Sequence, residues 1–384
     1  MIKKLYRFTW NTFFNLKKQG MQPLRAIDEL DISRVKRILA ISSTAIGDTL
    51  FAVPALRAIK KAMPHAETDL LAREKFLPLF AKIPYADAII PYAGGCKNSF
   101  SLLKRLRQGN YDICLVFHDS DPCPVQAARL AGIPFILRVG QRDEHVADLL
   151  SERMVWHGTE HAVEHRLALV ERVTGQRFNT EDDKRMELSV SEEEGTGFME
   201  GLFASHGLSD SGRYIKTGFQ LHASGQYKTW PSENFAALAA RLGDFSSRTV
   251  IVAMGGPSEE KRTRKTVAAM TRAGMPEDRI INVAGEVDIA DMPAFVKGLD
   301  ILVTNDTGPL HVAVAVRTPT VSLFVPTHAE RTGPIQDPHL HTVIKKPAPC
   351  PDCAEKYCVD ADCMSLISTD EVFEAVISSR GFGH

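Results

Sequence analysis

Nothing in this 384-residue chain approaches the run of about 20 apolar residues that a membrane-crossing helix needs. Its body is therefore expected to fold in water. Cysteine is sparse, at seven residues, which excludes the disulfide-built scaffold of a small secreted protein. An export signal is missing too: neither an uninterrupted apolar segment nor a small-residue cleavage site follows the charges near the start. These absences predict a cytoplasmic protein. Net charge is almost nil, 46 Lys and Arg against 47 Asp and Glu, so no overall basic footprint for nucleic acid exists. Two catalytic signatures are also absent. Without a Walker A loop the chain is not a P-loop phosphotransferase, and without Gly-x-Ser-x-Gly it lacks the nucleophile elbow of α/β-hydrolases.

The small net charge conceals an uneven distribution. Residues 1–20 hold Lys3, Lys4, Arg7, Lys17 and Lys18 and no acid, so +5 sits at the start and −6 in the remaining 364 residues. On a wheel of about 100° per residue, Ile2, Leu5, Tyr6, Trp10, Phe13 and Leu16 share one face. Lys4, Arg7, Asn11, Asn15 and Lys18 share the other, with Phe8 and Lys17 out of place. Such a helix suits peripheral contact with the inner face of the cytoplasmic membrane. Packing on the protein's own surface is the other reading.

From about residue 34 short apolar runs alternate with helix-period segments. Strands are predicted at 35–42, 68–72, 88–92, 111–117 and 135–139, with a helix over 51–63. A polar stretch, 176–212, with the acidic run Glu192, Glu193, Glu194, reads in part as a connection. Its Gly195-Thr196-Gly197 follows charged residues rather than a strand and is not a dinucleotide loop. A second series follows, with strands at 216–222, 249–254, 279–283, 301–304 and 320–324 and helices at 234–242, 259–272 and 292–298. The pattern predicts an α/β chain of two Rossmann-like doubly wound domains, with ligands at the carboxyl ends of the strands in a cleft between them. The expected division is a basic amphipathic segment at 1–32, one domain at 33–190 and another at 191–384.

Three strand-to-helix turns carry unusual polar residues. In the first, Gly47 permits close backbone approach and Asp48 opens the next helix, where a carboxylate can take a proton from a hydroxyl or simply cap the helix. In the second, small residues around Ser224 precede Lys228, a point charge suited to phosphate or to solvent. The third, Thr304-Asn305-Asp306-Thr307-Gly308-Pro309-Leu310-His311, runs from a buried strand into an Ala/Val-rich helix whose N-terminus suits pyrophosphate. Pro309, with Thr307 or Asp306 as cap, fits an ordinary helix start equally well. Three such turns at matching strand ends go beyond ordinary capping.

Ile46-Gly47-Asp48-Thr49-Leu50 with Val53-Pro54-Ala55-Leu56, Lys228-x-Trp230-Pro231, and Asn305-Asp306-Thr307-Gly308-Pro309-Leu310-His311 together resemble the heptosyltransferases of glycosyltransferase family nine. The resemblance spans about residues 35–375 in order, and the third motif continues to Thr318-Pro319-Thr320-Val321 and Pro326-Thr327. It implies the GT-B fold and an inverting, metal-independent transferase of lipopolysaccharide inner-core assembly. A nucleotide-sugar donor of the ADP-heptose type would lie on the C-terminal domain, and an anionic, lipid-linked saccharide acceptor on the N-terminal one. By the same resemblance Asp48 is the general base, with Gly47 and Thr49 on the acceptor side. Lys228 contacts phosphate beside Ser224, and Asp306, Thr307, Gly308 and His311 bind donor. Gly255, Gly256 and Glu259 lie on the nucleotide side. The chain departs from the family where Arg317 and Val325 stand in place of a frequent glycine.

His118 and Asp119, after the 111–117 strand, point towards the expected cleft as acceptor-binding candidates, while Lys97, Lys104, Arg105 and Arg107 suit either acceptor phosphates or a solvated helix face. Cys350, Cys353, Cys358 and Cys363 form C-x2-C-x4-C-x4-C, within a Cys-rich segment at 350–363. The alternatives are a structural zinc or iron–sulfur ligand set and a loop of thiols or local disulfides. The spacing matches neither a zinc ribbon nor a ferredoxin, which favours the loop, although many members of the resembled family carry a similar stretch ending in Cys-Met. Cys96, Cys114 and Cys123 are expected as core or loop thiols, and no cofactor is expected for catalysis. Two other functions fit the same fold: a nucleotide-sugar 2-epimerase and a non-catalytic sugar-nucleotide-binding protein.

Overall fold

The computed structural model of the chain describes residues 2–140, 146–155, 159–350 and 361–382. It divides into two compact units, Met1–Met186 and Glu187–His384. The first holds a parallel sheet of β1 (Arg37–Ser42), β2 (Glu67–Arg73), β3 (Ala88–Tyr92), β4 (Ile113–His118), β5 (Phe135–Val139) and β6 (Glu152–Met154), in the order β3-β2-β1-β4-β5-β6. The second repeats the plan with β7 (Ile215–Gln220), β8 (Thr249–Met254), β9 (Ile280–Asn282), β10 (Ile301–Asn305), β11 (Thr320–Phe324) and β12 (His341–Lys345), in the order β12-β11-β10-β7-β8-β9. Central strands such as RILAIS and TVIVAM are buried nearly throughout, as parallel strands covered by helices on both faces must be.

Strand order places the ligand sites. In each unit the chain lays three strands towards one edge and then returns to build three on the other side. Order therefore reverses between β1 and β4, and between β7 and β10. Helices leave in opposite directions at such a point, and the strand ends open a crevice there.

Several elements differ from the sequence expectation. The stretch around 192–205 is a helix, Glu192–Ser205, whose start is fixed by the reciprocal bonds of Ser191 and Glu194. Its glycines lower helix propensity, but Gly195 has a packing reason: a Cβ there would come within 3.1 Å of the Gly298 backbone nitrogen. The expected helix over 51–63 is two, Ile46–Leu50 and Val53–Ala62, with Pro54 in the first turn of the second. Strands β6 and β12 were not expected, since both are edge strands with little buried apolar surface.

The N-terminal helix spans Ile2–Lys18 and packs on the first unit by a different face from the one the wheel suggested. Trp10 and Phe14 are buried in the unit's core, and Trp10 Nε1 donates to Gln126 Oε1 at 2.7 Å. Leu5, Phe8 and Leu16 point away from that core and are exposed. Cys96 and Cys123, expected as separate thiols, are joined as a disulfide, since the loop after β3 meets the start of the helix Cys123–Ala131. Cys114 lies in the core of β4, where burial pushes its thiol pKa up.

Candidate active site

In the first unit, β1 leads through a tight turn into the helix Ile46–Leu50. Ala45 occupies the cap position without a side-chain bond, and Asp48, three residues on, reaches back to accept the Ala45 N–H. Thr44 Oγ1 donates to Asp48 Oδ2 at 2.6 Å. A hydroxyl has one proton to give, so His118, whose Nδ1 lies 2.9 Å from Thr44 Oγ1, donates from Nδ1. His118 ends β4, across the switch point from β1, and its Nδ1 is 3.7 Å from Asp48 Oδ2. From the other side Arg166 Nη2 stands 3.6 Å from Asp48 Oδ1.

Arg166 belongs to the helix Ala162–Thr174 and is buried. Its Nη1 donates to the Ala162 carbonyl at 2.6 Å, and its guanidinium lies 5.5 Å over the Phe51 ring. Among the described residues, Nε and Nη2 have no hydrogen-bond partner, so the ion pair with Asp48 is what balances this charge. Burial opposes ionisation of Asp48, but His118, Arg166, the Thr44 hydroxyl and the Ala45 N–H outweigh it and hold the carboxyl below its usual range. Burial also holds His118 below its ordinary value, so at neutral pH the imidazole is neutral and Arg166 is the standing cation. Arg166, pulled by burial down to about 10 against the attraction of Asp48, stays protonated.

The other acceptor-side candidates have local partners. Gly47 and Thr49 are buried, and the Thr49 hydroxyl sits 3.2 Å from the Ala45 carbonyl, bracing the turn that presents Asp48. The Asp119 side chain is buried and its Oδ1 accepts from Arg138 Nε at 2.9 Å, which fixes the loop after β4 beside His118.

In the second unit, two turns interlock at the switch point between β7 and β10. The Trp230 N–H donates to Asn305 Oδ1 at 2.8 Å, and Asn305 Nδ2 donates to the Gln220 carbonyl at 3.0 Å. Behind them Trp230 Nε1 donates to the Ile367 carbonyl at 2.9 Å, and Cys363 Sγ lies 3.4 Å from the Tyr227 carbonyl. That clamp leaves Lys228 at the strand ends, its Nζ donating to the Asp306 carbonyl at 2.9 Å and 4.0 Å from Asp306 Oδ2. Asp306 Oδ1 is 3.5 Å from Thr332 Oγ1 and 3.8 Å from His311 Nε2. Thr307 then caps the helix Gly308–Val316 by position only, without a side-chain bond to its first turn. A helix start left in this way offers N–H donors and a positive dipole end to an anion.

The neighbouring β8 is followed by Gly255 and Gly256. A Cβ on Gly255 would sit 2.7 Å from Thr263 Oγ1, which is bonded to His222 Nε2, so the close approach requires glycine. The Gly256 N–H donates to Glu259 Oε2 at 2.8 Å. Glu259 thus closes this turn, and Ser224 lies exposed in the loop after β7. Of the expected donor residues, Lys228, Asp306 and His311 meet directly. Gly255, Gly256 and Glu259 form a separate turn on the adjacent strand, tied in through His222 and Thr263.

The model of glycosyltransferase family 9 (heptosyltransferase) matches residues 99–362, well over half of the chain. The chain belongs to that family. Lipopolysaccharide heptosyltransferase 2 of Escherichia coli K12 is 26% identical over 321 residues, covering 80% of this chain and 88% of that one. The structure of E. coli ADP-heptose lps heptosyltransferase II superposes with a TM-score of 0.70 at 24% identity, covering 88% of this chain and 97% of that one. The family 9 glycosyltransferase from Veillonella parvula does so at 0.74 and 23%, covering 91% and 97%. These similarities fix the fold of this glycosyltransferase as two doubly wound α/β halves of the GT-B kind. Asp48 precedes the matched segment, whereas Lys228 and Asp306 lie inside it.

Sequence reasoning missed Arg166 and Thr44 in this family 9 enzyme. Arg166 had a signal: Val163, Arg166, Leu167 and Val170 fall at core spacing on one helix face, and a charge in an apolar stripe demands a partner. Thr44 had none, being one of several small polar residues in its turn. Arg317, where the resembled family often has glycine, closes the helix Gly308–Val316 in the left-handed region at φ +63° and is held by Asp337. Cys350 is exposed, Cys363 lies beside Tyr227, and Cys353 and Cys358 fall outside the described residues.

Proposed function

We propose that this family 9 enzyme moves a heptose, or a closely similar sugar, from an ADP-heptose-type donor to an anionic, lipid-linked inner-core saccharide of lipopolysaccharide. The observation that carries the reading is the pairing of chemistries at the two switch points. An ionised, cation-braced carboxylate, Asp48, stands at one, and a lysine beside an open helix start, Lys228 with Thr307–Gly308, stands at the other. The names of its relatives supply the sugar, the nucleotide and the acceptor class.

In this reading Asp48 takes the proton of the acceptor hydroxyl as that oxygen bonds to the anomeric carbon from the face opposite the nucleotide, inverting the centre. The bond to the nucleotide diphosphate breaks, and Lys228 and the first N–H groups of the helix carry the charge of the leaving phosphate. Lys228 then exchanges the Asp306 carbonyl for phosphate oxygen. This assigns the charge stabilisation to side chains and backbone rather than to a metal ion, and gives the cysteine segment no part in the chemistry. His118 and the loop held by Asp119 border the acceptor hydroxyl. The acceptor's lipid anchor puts the reaction at the cytoplasmic face of a membrane.

The test is an assay of ADP-heptose and UDP-sugars against heptose-deficient lipooligosaccharides, read by product mass and anomeric configuration. A single heptose added from ADP-heptose with inversion is expected, and Asp48→Asn should lower kcat by about 100-fold or more. Full activity in Asp48→Asn, or donor epimerised or hydrolysed with no acceptor product, would overturn the reading.

A further inference from the structure

The N-terminal helix has two apolar faces, and the protein's own core uses only one. Trp10 and Phe14 point inwards, while Leu5, Phe8 and Leu16 keep 62, 71 and 74% of their surface exposed. With Thr12, these three fall within about 80° of one another on the helix. The two threonines on this side, Thr9 and Thr12, donate their hydroxyls back to the Leu5 and Phe8 carbonyls at 3.0 and 2.9 Å. Their polar groups are satisfied inside the helix, so the stripe can leave water at little cost. Beside it lies the helix Ser99–Gly109, whose half-exposed Phe100 packs edge-on against Trp10 and Phe13 at 5.3 and 5.0 Å.

Charge decides what the stripe faces. Residues 2–18 and 97–109 together hold Lys3, Lys4, Arg7, Lys17, Lys18, Lys97, Lys104, Arg105 and Arg107, and not one acid. Arg7, Lys17, Lys97, Lys104 and Arg105 are exposed, and Lys18 pairs with Asp148 from another segment. A second copy of these helices would bring cations against cations such as Lys17, Lys97, Lys104 and Arg105, so self-association is disfavoured. Exposed aliphatic and aromatic side chains on a helix whose only charges are cationic are instead what a bilayer surface rich in anionic headgroups takes up. Among the described residues no helix is long and apolar enough to cross a membrane, so contact through these residues is interfacial.

We propose that the helix Ile2–Lys18, with the adjoining basic helix Ser99–Gly109, docks this enzyme on an anionic lipid surface. Leu5, Phe8 and Leu16 enter the headgroup region and the lysines and arginines pair with lipid phosphates. The proposal shares with the functional reading only the place where the acceptor lies.

The experiment is co-sedimentation of the full chain with vesicles of phosphatidylcholine alone, or with about a third phosphatidylglycerol, without saccharide or nucleotide. Binding is expected to be at least about tenfold stronger to the anionic vesicles and to weaken with salt. The triple variant Leu5→Ser, Phe8→Ser, Leu16→Ser and the triple variant Lys97→Glu, Lys104→Glu, Arg105→Glu should each lower it about tenfold with unchanged melting temperature, and the serine variant should keep its transfer to a detergent-solubilised acceptor. Equal binding by wild type and both variants would overturn the proposal. So would a dimer that the serine variant dissociates, or capture by an acidic protein in the absence of vesicle binding. A chain that docks but transfers nothing refutes the functional reading alone; one that transfers in detergent but does not dock refutes docking alone.

Discussion

Replacing Arg166 with methionine tests whether the buried guanidinium is what keeps Asp48 ionised. Methionine preserves most of the unbranched stem over Phe51 and removes the charge 3.6 Å from Asp48 Oδ1. Coulomb's law at that distance, in an effective dielectric of about 20, gives roughly 4–5 kcal/mol for the bare attraction. Solvent reaches Asp48, whose side chain keeps 26% of its exposure, and this cuts the net effect well below the bare attraction. The sign follows from what remains. Burial, which raises the Asp48 pKa, would then be opposed only by Thr44, the Ala45 N–H and a His118 that is neutral above its lowered pKa. On the proposed mechanism, the acid limb of kcat/KM in the wild-type enzyme lies below the ordinary carboxylate range, because the Asp48 carboxyl is held under its usual value. In Arg166→Met it should move upwards, with activity falling roughly tenfold per pH unit below the new limb. Arg166→Lys should restore most of the wild-type profile, since it returns a cation without the fork geometry. The loss of the bond to Ala162 would cost about 1–3 kcal/mol of stability, which calorimetry measures separately. An acid limb that stays put in a folded Arg166→Met enzyme would refute the reasoning.

Three further outcomes are expected. Lys228→Ala should weaken ADP binding about 10- to 100-fold by isothermal calorimetry, and unchanged affinity would remove Lys228 from the phosphate site. His341, buried on β12 with Nδ1 3.0 Å from Thr320 Oγ1, is pushed by burial down to about 4. The unfolded chain therefore binds a proton there that the native state does not, and stability should fall as pH drops from about 6.5 towards 4, by roughly 2 kcal/mol at pH 5. His341→Gln should flatten that slope in urea titrations at pH 5 and 7, and an unaltered slope would show that other groups set it. Arg317→Gly should be neutral or stabilising by up to about 1 kcal/mol in thermal melts. Relief of the left-handed backbone strain outweighs an ion pair whose arginine is more than half exposed, and a clear loss of stability would mean that the Asp337 pair matters more.

The central strands were legible because burial on both faces leaves unbroken apolar runs such as TVIVAM, which reads as a strand whatever surrounds it. β12, buried at His341 and largely exposed beyond it, carries no such run, and its place is set by pairing with β11. The helix Glu192–Ser205 was hidden by three glycines, although Ser191 and Glu194 spelled out its capping box. In the candidate site, Asp48 and Asp306 stood out in turns that follow apolar strands, and Lys228 stood out after a run of small residues. Arg166 comes from a helix more than a hundred residues beyond Asp48, and only the fold brings their charges together. Phe8 looked misplaced on a wheel drawn without knowing which face the core would claim; Trp10 and Gln126 settle that choice.

The repeated strand order has a consequence for how such an enzyme can diversify. Each reactive edge is rooted in its own hydrophobic core, the first through β1 and β4 and the second through β7 and β10. On the proposed donor side, substitutions in the segment 222–230 or in the turn after β8 would retune the sugar nucleotide without touching the groups that set the charge of Asp48. Effects of changes at well-separated sites with no shared partners add. If donor and acceptor divide between the units as proposed, each can be altered on its own core and tested against an unchanged other.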